Sequence, residues 1–324
     1  MRAILVVFSL LFVTSAIAET PRPYPGFTKT DMSKIAVDTR EIRQGCPRKD
    51  CIPAVDDPVY VPASEITVLG EKEPVMRLEI NGDLRAYPLR ALMFHEIVND
   101  TIGGVPVSVT FCPLCNSAIV FDRNVGDDVL DFGVSGLLRN SDLIMYDRQT
   151  ESLWQQFEGR SIIGAYADEK LAMIPMRLEA FGTIQVESPD AKVFVPGSEK
   201  RLGEYFNPYT GYDSSARPFL YSGPLPNGIP AMERVVKLRD ESPARAYSFS
   251  HLANNGPVEV DGISVALTGV QTSALDGRDI ASSREVATVT ATNEKGEDVV
   301  HDIIFAFVFH AFFPDGEIVH ITEN

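Results

Sequence analysis

The stretch that decides the fold runs Val75-Met76-Arg77-Leu78-Glu79-Ile80-Asn81-Gly82-Asp83-Leu84-Arg85-Ala86-Tyr87-Pro88. Val75 to Ile80 alternates as a half-buried strand does, Asn81-Gly82 is a hairpin turn signal, and Leu84 to Tyr87 resumes the strand. Pro88 then opens a short helix, with Leu89, Leu92, Met93 and Ile97 at helical spacing and an end near Asn99-Asp100. Gly103-Gly104 turns into a strand from Val105 to Phe111, which runs straight into Cys112-Pro113-Leu114-Cys115.

The same grammar recurs later in the chain. Arg85-Ala86-Tyr87 matches Arg245-Ala246-Tyr247, Gly104 to Val109 matches Gly262 to Leu267, and Ser117-Ala118 matches Ser273-Ala274. This reads as a degenerate duplication. The predicted fold is mainly β with short helices (α+β), built as two tandem β-rich modules over 71–185 and 186–324. On this alignment Cys112 falls opposite Thr268, Cys115 opposite Gln271 and His95 opposite Asn255. The scaffold recurs while the reactive side chains do not, which assigns the chemistry to the first module.

Outward toward the N-terminus, Arg2, an apolar run from Ala3 to Val13 and Ala16-Ile17-Ala18 form a secretory signal peptide over 1–18. The run is too short to span a bilayer. Export, to the periplasm or beyond, is therefore expected, with no membrane span in the mature chain. A Pro-rich extension follows over 19–70, starting as a tether at Pro21, Pro23 and Pro25. Toward the C-terminus, Ile303 to Phe313 is apolar, and Pro314-Asp315-Gly316 followed by alternating Glu317 to Ile321 predicts a terminal hairpin.

Composition limits the function. With 45 Asp+Glu against 29 Lys+Arg, the net charge is −16 over 324 residues, which argues against a nucleic-acid partner. Four cysteines are too few for a disulfide framework but enough for one site. No P-loop, G-x-G-x-x-G, G-x-S-x-G or H-E-x-x-H occurs.

Cys112 and Cys115 admit three readings. As thiolates they bind copper or zinc, with His95 as a third ligand and one position left open. As a redox dithiol they resemble the thioredoxin arrangement, although Asn116 to Arg123 continues as a strand and not as a good helix former. In the third reading they are a structural disulfide in a non-catalytic binding or scaffold protein. Cys46 and Cys51, in a Pro-containing loop, read as a local disulfide. Arg139, Asp147, Arg148, Glu151, Trp154 and Gln155 crowd a short span. They read either as a ligand-pocket wall, with an arginine for an anion and Trp154 as an aromatic surface, or as a turn network satisfying itself.

At Arg85-Ala86-Tyr87-Pro88, His95 to Asp100, Thr110 to Cys115, Phe132 to Met145 and Asp147 to Gln156, the chain resembles a bacterial and archaeal family known as domain of unknown function 3179. The resemblance extends roughly from Ile52 into the second module. It implies that the first module carries the family signature, and it brings no particular activity. The family usually has Gly where this chain has Cys51, which implies that the Cys46/Cys51 pair is a local, stabilising addition.

Overall fold

A computed structural model of the chain describes residues 24–239 and 241–321. The segment read as a signal peptide, residues 1–18, lies outside the described residues, as does most of the Pro-rich tether. Among the described residues the protein is mainly β with five short α-helices, and no helix is long and apolar enough to cross a membrane.

The opening stretch folds as a hairpin of Pro74–Ile80 and Asp83–Pro88, with Ile80 opposite Asp83. Asn81 and Gly82 take φ of 52° and 80° in the two-residue turn, the left-handed pair that a type I′ turn requires. A helix follows over Leu89–His95, shorter than its spacing predicts. Glu96 ends it in the left-handed region at φ 55°, and Ile97–Ile102 continues as a strand paired with Val105–Cys112. Gly103 joins them. A Cβ there would sit 2.1 Å from the Ile80 carbonyl oxygen, so only glycine fits the crossing of the two hairpins.

The first hairpin is the centre of a five-stranded sheet in the order Arg177–Ala180, Pro74–Ile80, Asp83–Pro88, Lys192–Val195 and Val59–Pro62. Regular structure thus begins well before Val75, because Val59–Pro62 closes this sheet and Ile42–Gln44 pairs with Leu137–Arg139 elsewhere. Lys192–Val195 lies past residue 185, so the division suggested by the sequence passes between two strands of one sheet.

A four-stranded sheet has the order His301–Phe305, Arg234–Leu238, Arg245–Ser248 and Glu317–Val319. Its pairings are antiparallel, antiparallel and parallel, as are those of the first four strands of the larger sheet. In both, a seven-residue helix (Phe181–Glu187 or Ala306–Phe312) connects the two outer strands. The two parts pack reciprocally: Ser117–Asp122 lies against His301–Phe305, and Ile263–Thr272 against Arg177–Ala180.

The C-terminal run differs from its sequence reading. Ala306–Phe312 is a helix between two strands of the sheet, and those strands do not form a hairpin with each other. With His310 its one polar residue in seven, the run has no polar face to reveal a helical period.

The Arg-Ala-Tyr motif supplies the buried polar centre of the larger sheet. Arg85 Nη1 donates to both Asp100 oxygens at 2.6 and 2.7 Å, Nη2 donates to Asp83 at 2.8 Å, and the hydroxyls of Tyr60 and Tyr87 both donate to Asp100 Oδ2. Removing one partner of such a pair strands the other, at a cost of about 3–5 kcal/mol. Arg85→Met is therefore expected to lower unfolding free energy by about 3 kcal/mol or more in urea titration. A change below about 1 kcal/mol would show that the two tyrosines alone satisfy Asp100.

Candidate functional site

Two tight turns converge to build the site. Val105–Cys112 and Ser117–Asp122 pair with Cys112 opposite Ser117, so the Cys-Pro-Leu-Cys segment is the loop between two antiparallel strands. Within it the Cys115 N–H donates to the Cys112 carbonyl at 3.2 Å, and Asn116 reverses the chain at φ 55°. Facing it, Phe132–Arg139 and Asp142–Asp147 form a hairpin with Arg139 opposite Asp142. Its turn residues, Asn140 and Ser141, take φ of 54° and 65°, again the type I′ pattern. This turn carries Asp142 to the cysteines.

The sulfurs of Cys112 and Cys115 and a carboxylate oxygen of Asp142 lie within 4.8 Å of one another, all buried. Asp142 Oδ2 accepts from Gln155 Nε2 at 2.6 Å and from the Phe157 N–H at 2.9 Å. Oδ1 is buried with no hydrogen-bond partner. The thiols donate only weakly, to the Ser141 carbonyl at 3.9 and 3.5 Å, and their contact with the Asp142 carboxyl lowers its proton affinity.

Electrostatics keep protons on the thiols of the metal-free site. Burial pushes both thiols above their ordinary range, with Asp142 adding to the effect. Burial also raises Asp142 to about 6, against the pull of its Phe157 and Gln155 hydrogen bonds. Glu96, fully buried and near Asp142, is raised to about 8. A reactive dithiol of the thioredoxin kind needs the opposite, an electropositive setting that lowers the thiol.

Beside the cysteines is a cavity of about 110 Å³, bordered by Cys112, Glu96, Tyr209 and apolar side chains, with Cys46 at its wall. The Glu96 carboxyl and the Tyr209 hydroxyl have no hydrogen-bond partner among the described residues. The later part of the chain closes this side. Tyr212 Oη donates to the Leu114 carbonyl at 2.9 Å, and Ser141 Oγ donates to the Phe219 carbonyl at 2.5 Å.

The residues singled out in the sequence fall in several places. Cys112 and Cys115 are brought together, and Cys46 and Cys51 form a disulfide with Cα atoms 6.4 Å apart. His95 is not among the clustered groups. Its Nδ1 meets the Pro53 carbonyl at 2.8 Å and its Nε2 meets the Tyr205 hydroxyl at 3.0 Å, so both ring nitrogens are occupied. Asp142 stands where the sequence reading set His95.

Of the six crowded polar residues, Gln155 reaches the site, through Asp142. Arg139 pairs with Glu41 and Glu158, Arg148 with Asp56, and Glu151 with Lys49 and the Thr28 and Lys29 amides. Asp147 accepts from Thr150 and from the indole of the fully buried Trp154. These groups are satisfied mostly by residues outside the span, and Trp154 offers no open aromatic surface. Asp142 and Glu96 were missed as site residues. The available signals were an acid opening an otherwise apolar strand after Asn140-Ser141, and an acid directly beside His95.

The chain belongs to the family described as protein of unknown function DUF3179, whose model matches residues 49–316. No curated protein and no solved structure matches it.

The two oxygens of Asp142 have separable roles, and stability measurements should divide them. In metal-free protein Asp142→Asn keeps an acceptor for Gln155 and Phe157 and is expected to stay within about 1 kcal/mol of wild type. Asp142→Leu orphans both buried donors and should cost about 2 kcal/mol or more. Equal denaturation midpoints for the two variants would show that the Oδ2 contacts are dispensable.

Proposed function

We propose that this chain is an exported protein whose earlier half holds one zinc ion on Cys112 Sγ, Cys115 Sγ and Asp142 Oδ1. The observation that carries this reading is the Asp142 oxygen that, apart from the two cysteine thiols clustered with it, is buried without a hydrogen-bond partner. A buried polar atom left without a hydrogen bond costs free energy, and a cation between the three donors removes that cost.

The donor set fits zinc. Bonds of about 2.3 Å to sulfur and about 2.0 Å to carboxylate oxygen place tetrahedral ligands roughly 3.5 Å apart, within side-chain rotation of the present separations. Sulfur alone would suit copper(I) equally, but the hard carboxylate oxygen turns the balance toward zinc. Gln155 and Phe157 act behind the ligand: by holding Oδ2 they point Oδ1 at the sulfurs. His95 does not enter this set, because its ring nitrogens are spent elsewhere. When bound, such an ion supplies Lewis acidity and a place for one exogenous donor.

Two further points support the setting. The Cys46–Cys51 disulfide accords with an oxidising compartment. The matching strand pairings of the two sheets support a duplicated module of which only the earlier copy carries the cysteines, Thr268 and Gln271 being their counterparts. A redox dithiol is the second reading, favoured by Cys46 and Cys112 lining the same cavity. The raised thiols weigh against it.

Elemental analysis of protein purified from the periplasm tests the proposal. About one zinc per chain is expected in wild type and in His95→Ala, and a loss of tenfold or more in affinity in Cys112→Ser and Asp142→Asn. Uptake should release protons and weaken as pH falls, because the thiols must ionise to bind. Wild-type protein that is metal-free and stays so when offered zinc or copper(I) overturns it. Thiols that then equilibrate with mild reductant would favour the redox reading.

A further inference from the structure

Glu96 is the least explained side chain in the molecule. Its side chain is buried, its carboxyl has no hydrogen bond among the described residues, and its backbone sits at φ 55°, which is uncommon outside glycine and asparagine. Two backbone bonds fix it there: its N–H donates to the Leu92 carbonyl at 2.7 Å, and its carbonyl accepts from the Phe111 N–H at 2.9 Å. That placement borders the cavity beside Cys112. On the same cavity the Tyr209 hydroxyl is a second unpartnered polar group, and the remaining lining is largely apolar, from Leu114, Val134, Leu143 and Phe219.

We propose that this cavity is a binding pocket for a small neutral molecule, seated with its apolar part among these side chains and its polar group at Glu96, Tyr209 and the metal held by Cys112. The inference rests on the zinc reading for its third contact. Three protein donors leave room for an exogenous one, and Cys112 is the ligand that borders the cavity.

Size and charge set the class of ligand. A cavity of 150 Å³ holds benzene. At about 110 Å³ this one takes a molecule of roughly five heavy atoms. No Lys, Arg or His is among its lining residues, and two thiolates and a carboxylate outweigh a divalent ion by one negative charge. Anions are therefore repelled. A mostly apolar lining with a few convergent polar groups is the usual character of a small-molecule site, and here the polar groups lie on the side of the cysteines.

The full mature chain loaded with cobalt(II) in place of zinc gives the test, because sulfur-to-cobalt absorption reports both loading and the coordination sphere. Pyrazole serves as the neutral five-atom probe, acetate as the anion of similar size and indazole as the oversized analogue. Pyrazole should shift the visible bands saturably, while acetate acts at least tenfold more weakly and indazole has no effect. Val134→Phe, which fills the cavity, should take up cobalt normally and lose the pyrazole response, and Leu114→Phe serves if that variant does not fold. Glu96→Gln should weaken pyrazole at least fivefold.

Well-formed cobalt bands that ignore pyrazole, or that respond equally to acetate or indazole, overturn this proposal and leave the metal site standing. A wild-type chain that takes up no cobalt and no zinc overturns both.

Discussion

The site depends on a division of labour within one carboxylate. Gln155 and the Phe157 amide both donate to Oδ2 of Asp142, which fixes the plane of the group and leaves Oδ1 without a donor. A carboxylate on a free side chain would rotate to share its bonds between both oxygens. This one cannot, because its backbone is set by the two left-handed residues before it and its far oxygen is pinned by the neighbouring strand. The same hairpin turns the Ser141 carbonyl toward the thiols. Geometry at the cysteines is thus decided by a β-turn and two N–H groups rather than by the cysteine loop itself.

That loop is in turn held from the other end of the chain. The Phe305 N–H donates to the Cys115 carbonyl at 3.2 Å, and Asn116 Nδ2 donates to the Ile303 carbonyl at 3.4 Å. With the Tyr212 bond to Leu114 and the Phe219 bond from Ser141, the later sheet and its preceding loop supply one wall of a site whose donors all come from the earlier part. A chain truncated after the first sheet would keep every ligand and lose this enclosure. Dielectric and access at the site are therefore properties of the whole chain.

What could be read from the sequence was what local chemistry dictates. Asn81-Gly82 and Gly103-Gly104 announced their turns because few residues accept positive φ, and the strand after Cys115 was legible from its β-branched and aromatic residues. Helix Ala306–Phe312 was not, since a segment with one polar residue in seven carries no period. Strands Ile42–Gln44 and Val59–Pro62 were hidden because each is short and exists only through partners almost a hundred or more residues away. At the site the cysteines were visible as a pair, but Asp142 acquires meaning only when a distant hairpin folds over them. His95 showed the reverse: its residue type suggested a ligand, while the fold gave its nitrogens to Pro53 and Tyr205.

The Cys46–Cys51 disulfide and the buried dithiol border a single cavity, which turns pairing into a question of loop length. Four cysteines allow three complete pairings, two of which would join the loop to the site. Separation along the chain separates the outcomes. Cys46 and Cys51 are five residues apart and meet within a short loop, whereas either meets Cys112 only by closing a much longer one. In the folded chain both Cys112 and Cys115 are buried, Cys115 completely, and of the two only Cys112 borders the cavity. The folded state thus holds one oxidised and one reduced pair side by side, the first favoured by its short loop and the second by its burial.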